Sequence, residues 1–342
     1  MRAPGETPAR RAASITLSPS TWITDQAIEW LKELWGQPLF LFVHYYDVHS
    51  SYAALPRYER LFASDYAGAV DGSSEQLVSF KLSPEFVASC RSNPEREECR
   101  TWVKNPLDEN SKRIEIDQAG AQHLKDLYDA GIRQTDAELG RLIGFLRSEG
   151  LLDQILLILT SDHGEQFLEH GSVLHSDDQY QELIGVPLIL RGPGIPQNVR
   201  VETPVSLVDL VPTVLAALGV PGGAEPSDGL DLSPLWQAAS SGAAANDVFE
   251  ERYLFAEAAS ANLRLAVRQG RHKLIYDRVT GEAELYDLEA DPGEQSDISA
   301  LQKEVTLRLR ERLFERSEQS AEGPRVELSP QELEHLRALG YL

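Results

Sequence analysis

The chain has 342 residues, 42% of them hydrophobic and 25% charged, enough for one large globular domain with an appendage or for two domains. Its 32 Lys and Arg against 54 Asp and Glu give a formal net charge of −22, which disfavours non-specific binding to nucleic acid or anionic lipid. A site for an anionic substrate must therefore be made locally positive by a metal, by histidines or by helix N-termini.

The first residues carry Arg2, Arg10 and Arg11 with no apolar stretch behind them, so 1–23 reads as a disordered lead-in rather than a secretory signal. Thr24 or Asp25 can cap a helix whose apolar residues Ile28, Leu31, Leu34 and Trp35 recur at helical spacing. Pro38–Val43 is a continuous apolar run of strand length, and with Ile155–Leu159 it is the longest in the chain, far short of the roughly 18–20 residues of a membrane span. Residues 53–118 are rich in turn formers and read as a long irregular insertion. Cys90 and Cys99 lie within it and are too few for a disulfide framework, so pairing and redox compartment stay open.

A long helix follows, with Leu124, Leu127, Tyr128, Ile132, Leu139, Leu142, Ile143 and Leu146 on one broad face and Gly150 as its stop. ILLILT at 155–160 and VPLIL at 186–190 are the next buried strands, and SLVDLVPTVLAALG at 206–219 is a further helix. Apolar strands alternating with amphipathic helices predict an α/β fold with a largely parallel sheet flanked by helices. A linker rich in Pro, Gly, Ala and Ser spans about 221–247. Beyond it YLFAEA, LRLAVRQ, HKLIYD and ELYDL read as short antiparallel strands, followed by a charged helix at 301–319 and a short C-terminal one. The expected division is a partial α/β domain over 24–235 and a small α+β module over 250–342.

Ligands of open α/β sheets bind outside the carboxyl ends of the strands, and three segments fall at such places. Thr160-Ser161-Asp162-His163-Gly164-Glu165 follows a strand directly; its Asp and His can turn toward one cation, as carboxylate and imidazole ligands, and Gly164 lets the backbone bend away. A surface turn with Asp162 as a cap would give the same string. His44-Tyr45-Tyr46-Asp47-Val48-His49 follows the apolar run at 38–43, where a histidine can hold an oxyanion, protonate a leaving group, or serve only the structure. His170 and His175 lie on a loop before VPLIL and can add positive charge there or sit exposed.

Taken in order, FLFVHYYDVHSSY, LTSDHGEQFLEHG and HSDDQYQELIGVPLILRGPG resemble the sulfatase branch of the alkaline phosphatase-like superfamily. DLVPTVLAALG, the tail KLIYDRVTGEAELYDLEADPGEQSDIS and the ending LRALGYL are similar to that family's later segments. The resemblance implies a sulfuric ester hydrolase acting on a sulfate-ester small molecule or saccharide. It makes Asp162 and His163 ligands of one divalent metal, usually calcium. His49 would contact the sulfate, and His175 would lie near the sulfate and the leaving oxygen. A phosphatase, phosphodiesterase or phosphonate hydrolase of the same superfamily, and a non-catalytic remnant, are the alternatives.

Two departures matter. Val48 and Ser51 stand where the family usually has prolines beside the histidine. Before Thr24 there is neither a strand ending in Asp-Asp nor the C-x-P-x-R or S-x-P-x-R motif whose Cys or Ser becomes formylglycine. Ser92-Asn93-Pro94-Glu95-Arg96 spells the motif, but it follows the histidine strand instead of preceding it and has Glu95 where a small residue is usual. The nucleophile is therefore expected in a segment that this chain lacks. The purified 342-residue chain should show no turnover of a chromogenic aryl sulfate. Turnover that disappears in His49→Ala would place the whole catalytic set within these residues.

Overall fold

The computed structural model describes residues 19–63, 66–81, 114–175, 178–220, 228–242, 247–257 and 264–321, with Ser329. Residues 1–18, both cysteines, the 92–96 motif, Asp177 and the C-terminal 336–342 segment fall outside the described residues. Packing divides the chain into two units, one from Met1–Asp153 with Phe167–Leu174 and the other from Gln154–Gln166 with His175–Leu342. No helix among the described residues is long and apolar enough to cross a membrane.

In the first unit α1 spans Pro19–Leu34, starting earlier than the caps expected at Thr24 and Asp25. Proline suits a first helical turn, where its missing N–H is not needed. Thr24 lies buried inside the helix, its hydroxyl donating to the Ser20 carbonyl at 2.9 Å. The buried stripe is Thr21, Thr24, Ala27 and Leu31, while Leu34 and Trp35 face solvent. Small and polar residues face inward because the neighbouring helix presents a buried Glu138, to which Thr21 donates at 3.0 Å.

Residues 53–118, expected to be irregular, hold α2 (Pro56–Phe62) and α3 (Ser74–Lys81). The long helix α4 spans Gln118–Ser148, with the Asp117 side chain accepting from the Gly120 N–H at 2.8 Å. Leu124, Leu127, Leu142 and Leu146 are buried on it as the periodicity requires, but Ile132 is exposed and Gln134 and Glu138 take core positions instead. Its N-terminal half joins a core with Tyr52, Val70, Leu77, Ile116, Phe167, Val173 and Leu174. The predicted strand at 38–43 is not one: it runs outside any ladder, with Phe40 and Phe42 83% and 75% exposed. A strand exists only through its hydrogen-bonded neighbours, and the described residues give this segment none.

In the second unit β1 (Leu157–Thr160) pairs with β4 (Leu188–Arg191), in register Leu157↔Arg191 to Thr160↔Leu188. The pairing is antiparallel, against the expectation of a parallel arrangement. Among the described residues between them there is no crossover helix, only α5 (Gln181–Ile184), a single turn. Two short strands, β2 (Gln166–Phe167) and β3 (Val173–Leu174), precede that turn, with Phe167–Leu174 belonging to the first unit.

The helix expected at 206–219 forms as a 3₁₀ turn over Leu207–Asp209 and α6 over Leu210–Ala217. The segment expected to be a linker contains α7 (Ser233–Ser241), which buries Leu235 and Trp236 against Leu188, Leu190 and Phe249. Phe249 belongs to α8 (Asp247–Glu250).

The four C-terminal strands form as predicted: β5 (Leu254–Glu257), β6 (Arg264–Gln269), β7 (His272–Asp277) and β8 (Ala283–Asp287), in one antiparallel sheet of order β5-β6-β7-β8. Alternation separates its faces. Leu265, Val267, Leu274 and Leu285 pack on Leu309 and Leu313 of α9 (Lys303–Ala321), and Ala266, Ile275 and Tyr286 pack on Tyr180.

Asp209 ties three segments of this unit together. Its fully buried carboxylate takes two hydrogen bonds from Arg252, at 2.9 and 2.5 Å, and one each from the Ser206 and Leu230 amides, at 2.8 and 2.9 Å. Burial alone would raise this carboxyl, but Arg252 and the two amides outweigh it and hold it below the usual carboxylate range. The stabilisation is then fully present above the unfolded carboxylate pKa of about 4 and is lost as pH falls through the lower folded value. Asp209→Asn should cost about 3–5 kcal/mol at neutral pH, because it strands the partly buried guanidinium of Arg252. Denaturant unfolding of the variant at neutral pH and below pH 4 should show the difference shrinking in acid.

Candidate active site

The segment after β1 has no regular structure, so its shape is set by what it touches. Two backbone hydrogen bonds do this: the Gly164 N–H donates to the Leu183 carbonyl at 2.7 Å and the Glu165 N–H to the Glu182 carbonyl at 3.0 Å. The approach is so close that a Cβ on Gly164 would lie 2.0 Å from the Glu182 oxygen. Gly164 is therefore needed for the approach of α5. Thr160 closes the other side, its hydroxyl donating to the Pro187 carbonyl at 2.8 Å, and the Ser161 hydroxyl donates to the His163 carbonyl at 2.6 Å.

On this frame His163 Nδ1 lies 2.8 Å from the Gly164 carbonyl oxygen. A carbonyl can only accept, so in the neutral ring Nδ1 carries the proton and the lone pair falls to Nε2. Nε2 is 3.7 Å from Asp162 Oδ2, with both side chains partly open to solvent. That is too long for a hydrogen bond but places a nitrogen lone pair and a carboxylate oxygen side by side. A histidine ligand normally has its other ring nitrogen donated to a carbonyl in this way.

His175 comes to the same place from the other direction. Its ring centroid is 4.1 Å from that of His163, tilted by 30°. Its Nδ1 lies 3.1 Å from the Oε1 of Glu165, a buried carboxylate that fixes the ring and turns Nε2 to the opposite side. Glu165 orients His175. A carboxylate next to the Asp-His pair, with a histidine ten residues on, was the available signal. The arrangement thus brings Asp162, His163, Glu165 and His175 together in the second unit.

His49 belongs to the first unit and has its own supports. Its ring stacks on Tyr46 with centroids 4.4 Å apart, and Nδ1 lies 2.7 Å from the Ser50 carbonyl. The loop is held by buried Gln134 of α4, which donates to Asp47 at 2.5 Å and accepts from the Leu55 N–H at 2.7 Å. A glutamine inside a helical apolar face gave no sign of this in the sequence.

Comparison with known proteins bears on this geometry. The Sulfatase family matches residues 18–220, and the family described as N-sulphoglucosamine sulphohydrolase, C-terminal, matches 170–319. Arylsulfatase K of Rattus norvegicus is 28% identical over 299 residues, covering 85% of this chain and 51% of the relative. The choline-sulfatase of Rhizobium meliloti (strain 1021) is 31% identical over 208 residues, covering 57% of this chain and 39% of the relative. The chain spans about half the length of the arylsulfatase relatives it matches. Among solved structures, a protein in complex with its substrate D-glucosamine-2-N,6-O-disulfate superposes with a TM-score of 0.64 at 20% identity, over 88% of this chain and 69% of the other. The phosphonate monoester hydrolase of Agrobacterium radiobacter does so with 0.63 at 21%, over 88% and 61%. Likeness at that identity establishes a shared fold.

The tight approach at Gly164 has a measurable consequence. Gly164→Ala should lower stability by about 1–3 kcal/mol in denaturant unfolding, because the new methyl meets fixed backbone. Gly140→Ala, in α4 where nothing lies within 4 Å of the added Cβ, should raise stability by about 0.5–1 kcal/mol. Equal effects at the two positions would contradict the packing described.

Proposed function

The chain belongs to the sulfatase family, and from that premise we propose that its residues form the metal- and sulfate-binding part of a sulfuric ester hydrolase. The orientation of His163 carries the proposal. Its Nδ1 is committed to the Gly164 carbonyl, and Nε2 lies beside Asp162 where one cation can touch both. These two donors fit one edge of a coordination shell. Calcium wants about 6–8 oxygen-type ligands, and no group of three or more His, Cys, Asp or Glu side chains that could hold a metal assembles among the described residues. The rest of the shell, and the formylglycine nucleophile, are proposed to come from polypeptide beyond the described residues.

A divalent cation, taken here as calcium, would polarise the ester oxygens when bound. The chain's own side chains do the rest. Asp162 and His163 would hold the ion, His175 would present Nε2 to the sulfate or leaving oxygen from a ring fixed by Glu165, and His49, on its Gln134-supported loop in the first unit, keeps the sulfate-contacting role that the family resemblance implies. Histidines and a cation supply the positive charge that a chain of net charge −22 must create locally for an anionic substrate.

The substrate class proposed is a sulfate ester, of a small molecule or a saccharide. The arylsulfatase and choline-sulfatase relatives support it, and the phosphonate hydrolase shares the fold. The architecture proposed is a catalytic region over 24–235 and a C-terminal module over 250–342. Segment 38–43 is proposed as a strand of a larger, largely parallel sheet, a reading supported by its continuous apolar run and its exposed Phe40 and Phe42.

Calcium titration followed by the imidazole nitrogen resonances tests the metal site. His163 should shift saturably with half-saturation at about 1 mM or weaker, and Asp162→Ala should abolish the shift. No response at His163, or a response unchanged in Asp162→Ala, would refute the assignment. Half-saturation below about 1 µM would mean that this chain completes the shell alone, against the proposal of a shared one.

A further inference from the structure

Lys273 and Glu294 stand apart from every other charged pair in the described residues. Both side chains are 0% exposed, with Lys273 Nζ 2.7 Å from Glu294 Oε1. Burial pushes the Lys273 ammonium below the usual lysine range, with Glu294 opposing the shift. Such a pair is poor at stabilising a fold, since two apolar side chains of similar volume often do as well or better. With Lys273 the second residue of β7 and Glu294 in the loop beyond β8, the pair is placed for another task.

The other carboxylate oxygen shows what that task is. Glu294 Oε2 accepts from the Gln181 N–H at 2.5 Å, the first amide of α5. Glu182 and Leu183, the next two residues, supply the carbonyls that hold the Glu165 and Gly164 amides. The connected path is therefore Lys273, Glu294, the α5 backbone, and the turn carrying Asp162 and His163. The same face of the sheet grips the preceding residues as well. Arg264 donates to Asp178 at 2.8 Å, and the Tyr180 hydroxyl donates to Glu284 at 2.9 Å. Alternation puts Arg264, Lys273 and Glu284 on one face of the sheet, opposite Leu265, Leu274 and Leu285.

We infer that Glu294 is a positioning residue, fixing through the α5 backbone the turn on which Asp162 and His163 meet, with Lys273 balancing its buried charge. The acceptor oxygen of Glu294 sets the height of α5 against Gly164. The functional part of this inference rests on Asp162 and His163 being the metal site; the mechanical part does not.

Two double variants separate positioning from mere support. Lys273→Met with Glu294→Leu removes both charges and the acceptor for the Gln181 N–H. Lys273→Met with Glu294→Gln removes both charges and keeps an acceptor oxygen. Amide hydrogen exchange without metal should accelerate at least about tenfold at Gly164 and Glu165 in the first and stay within about twofold in the second. Exchange in the β6–β7 ladder, the control for the fold, should stay unchanged in both. Unaltered exchange at Gly164 and Glu165 in the first variant, with the ladder intact, would overturn the inference. So would equal acceleration at those two amides in both variants. The calcium response of His163 should weaken about tenfold or more in the first variant and persist in the second. Absence of that response in the parent protein would refute the metal assignment alone, and the exchange data would still decide the coupling.

Discussion

Two backbone hydrogen bonds, from Gly164 to Leu183 and from Glu165 to Glu182, are the constraint on which the candidate site depends. The turn after β1 has no ladder or helix of its own to define it. Without those bonds Asp162 and His163 would sit on an unsupported loop, each backbone bond contributing only about 1 kcal/mol net to holding it. With them, the carbonyl of Gly164 faces His163 Nδ1 and selects the tautomer that turns Nε2 toward Asp162. The missing side chain at Gly164 is what lets α5 come close enough to make them.

The C-terminal sheet gives each of its faces a different role. One is apolar, with Leu265, Val267, Leu274 and Leu285 under Leu309 and Leu313 of α9, and each such buried side chain contributes about 1.5–3 kcal/mol. The other mixes Ala266, Ile275 and Tyr286 with Arg264 and Glu284, which meet Asp178 and Tyr180, and with Lys273, whose partner Glu294 meets Gln181. Hydrophobic burial is non-directional and cannot fix a loop to a fraction of an ångström. Ion pairs and hydrogen bonds are directional, so the polar face sets the position of the segment that follows His175. The division of labour is stability on one side and register on the other.

The first unit repeats this on a helix. The N-terminal half of α4 buries Leu124 and Leu127 in a conventional core, while further along Gln134 and Glu138 occupy the same inward stripe. Glu138 receives Thr21 of α1, and Gln134 links Asp47 to Leu55 across the loop of His49. Buried polar groups of this kind are tolerated because they are paired, and being paired they specify one arrangement of the loop.

The periodicity of the sequence determined the long helix α4, the helix near 206–219, the four antiparallel strands from β5 to β8 and the closing charged helix, because alternation and the 3.6-residue repeat follow from local geometry. The ordered motifs around His49, Asp162-His163 and His175 carried the family. Strand partners were a different matter. The apolar run at 38–43 and the antiparallel register of β1 with β4 depend on which segment lies alongside, a non-local fact that no window of sequence contains. The helix start at Pro19, the short α2 and α3 and the helix α7 escaped notice because weak periodicity gave them no local signature. The supports of the site lay furthest from view. Glu165 against His175, Gln134 against Asp47, and Glu294 against both Lys273 and Gln181 join residues from 10 to 113 positions apart. Each looks like an ordinary surface glutamate, glutamine or lysine until the fold buries it, and burial is decided only when the whole chain has packed.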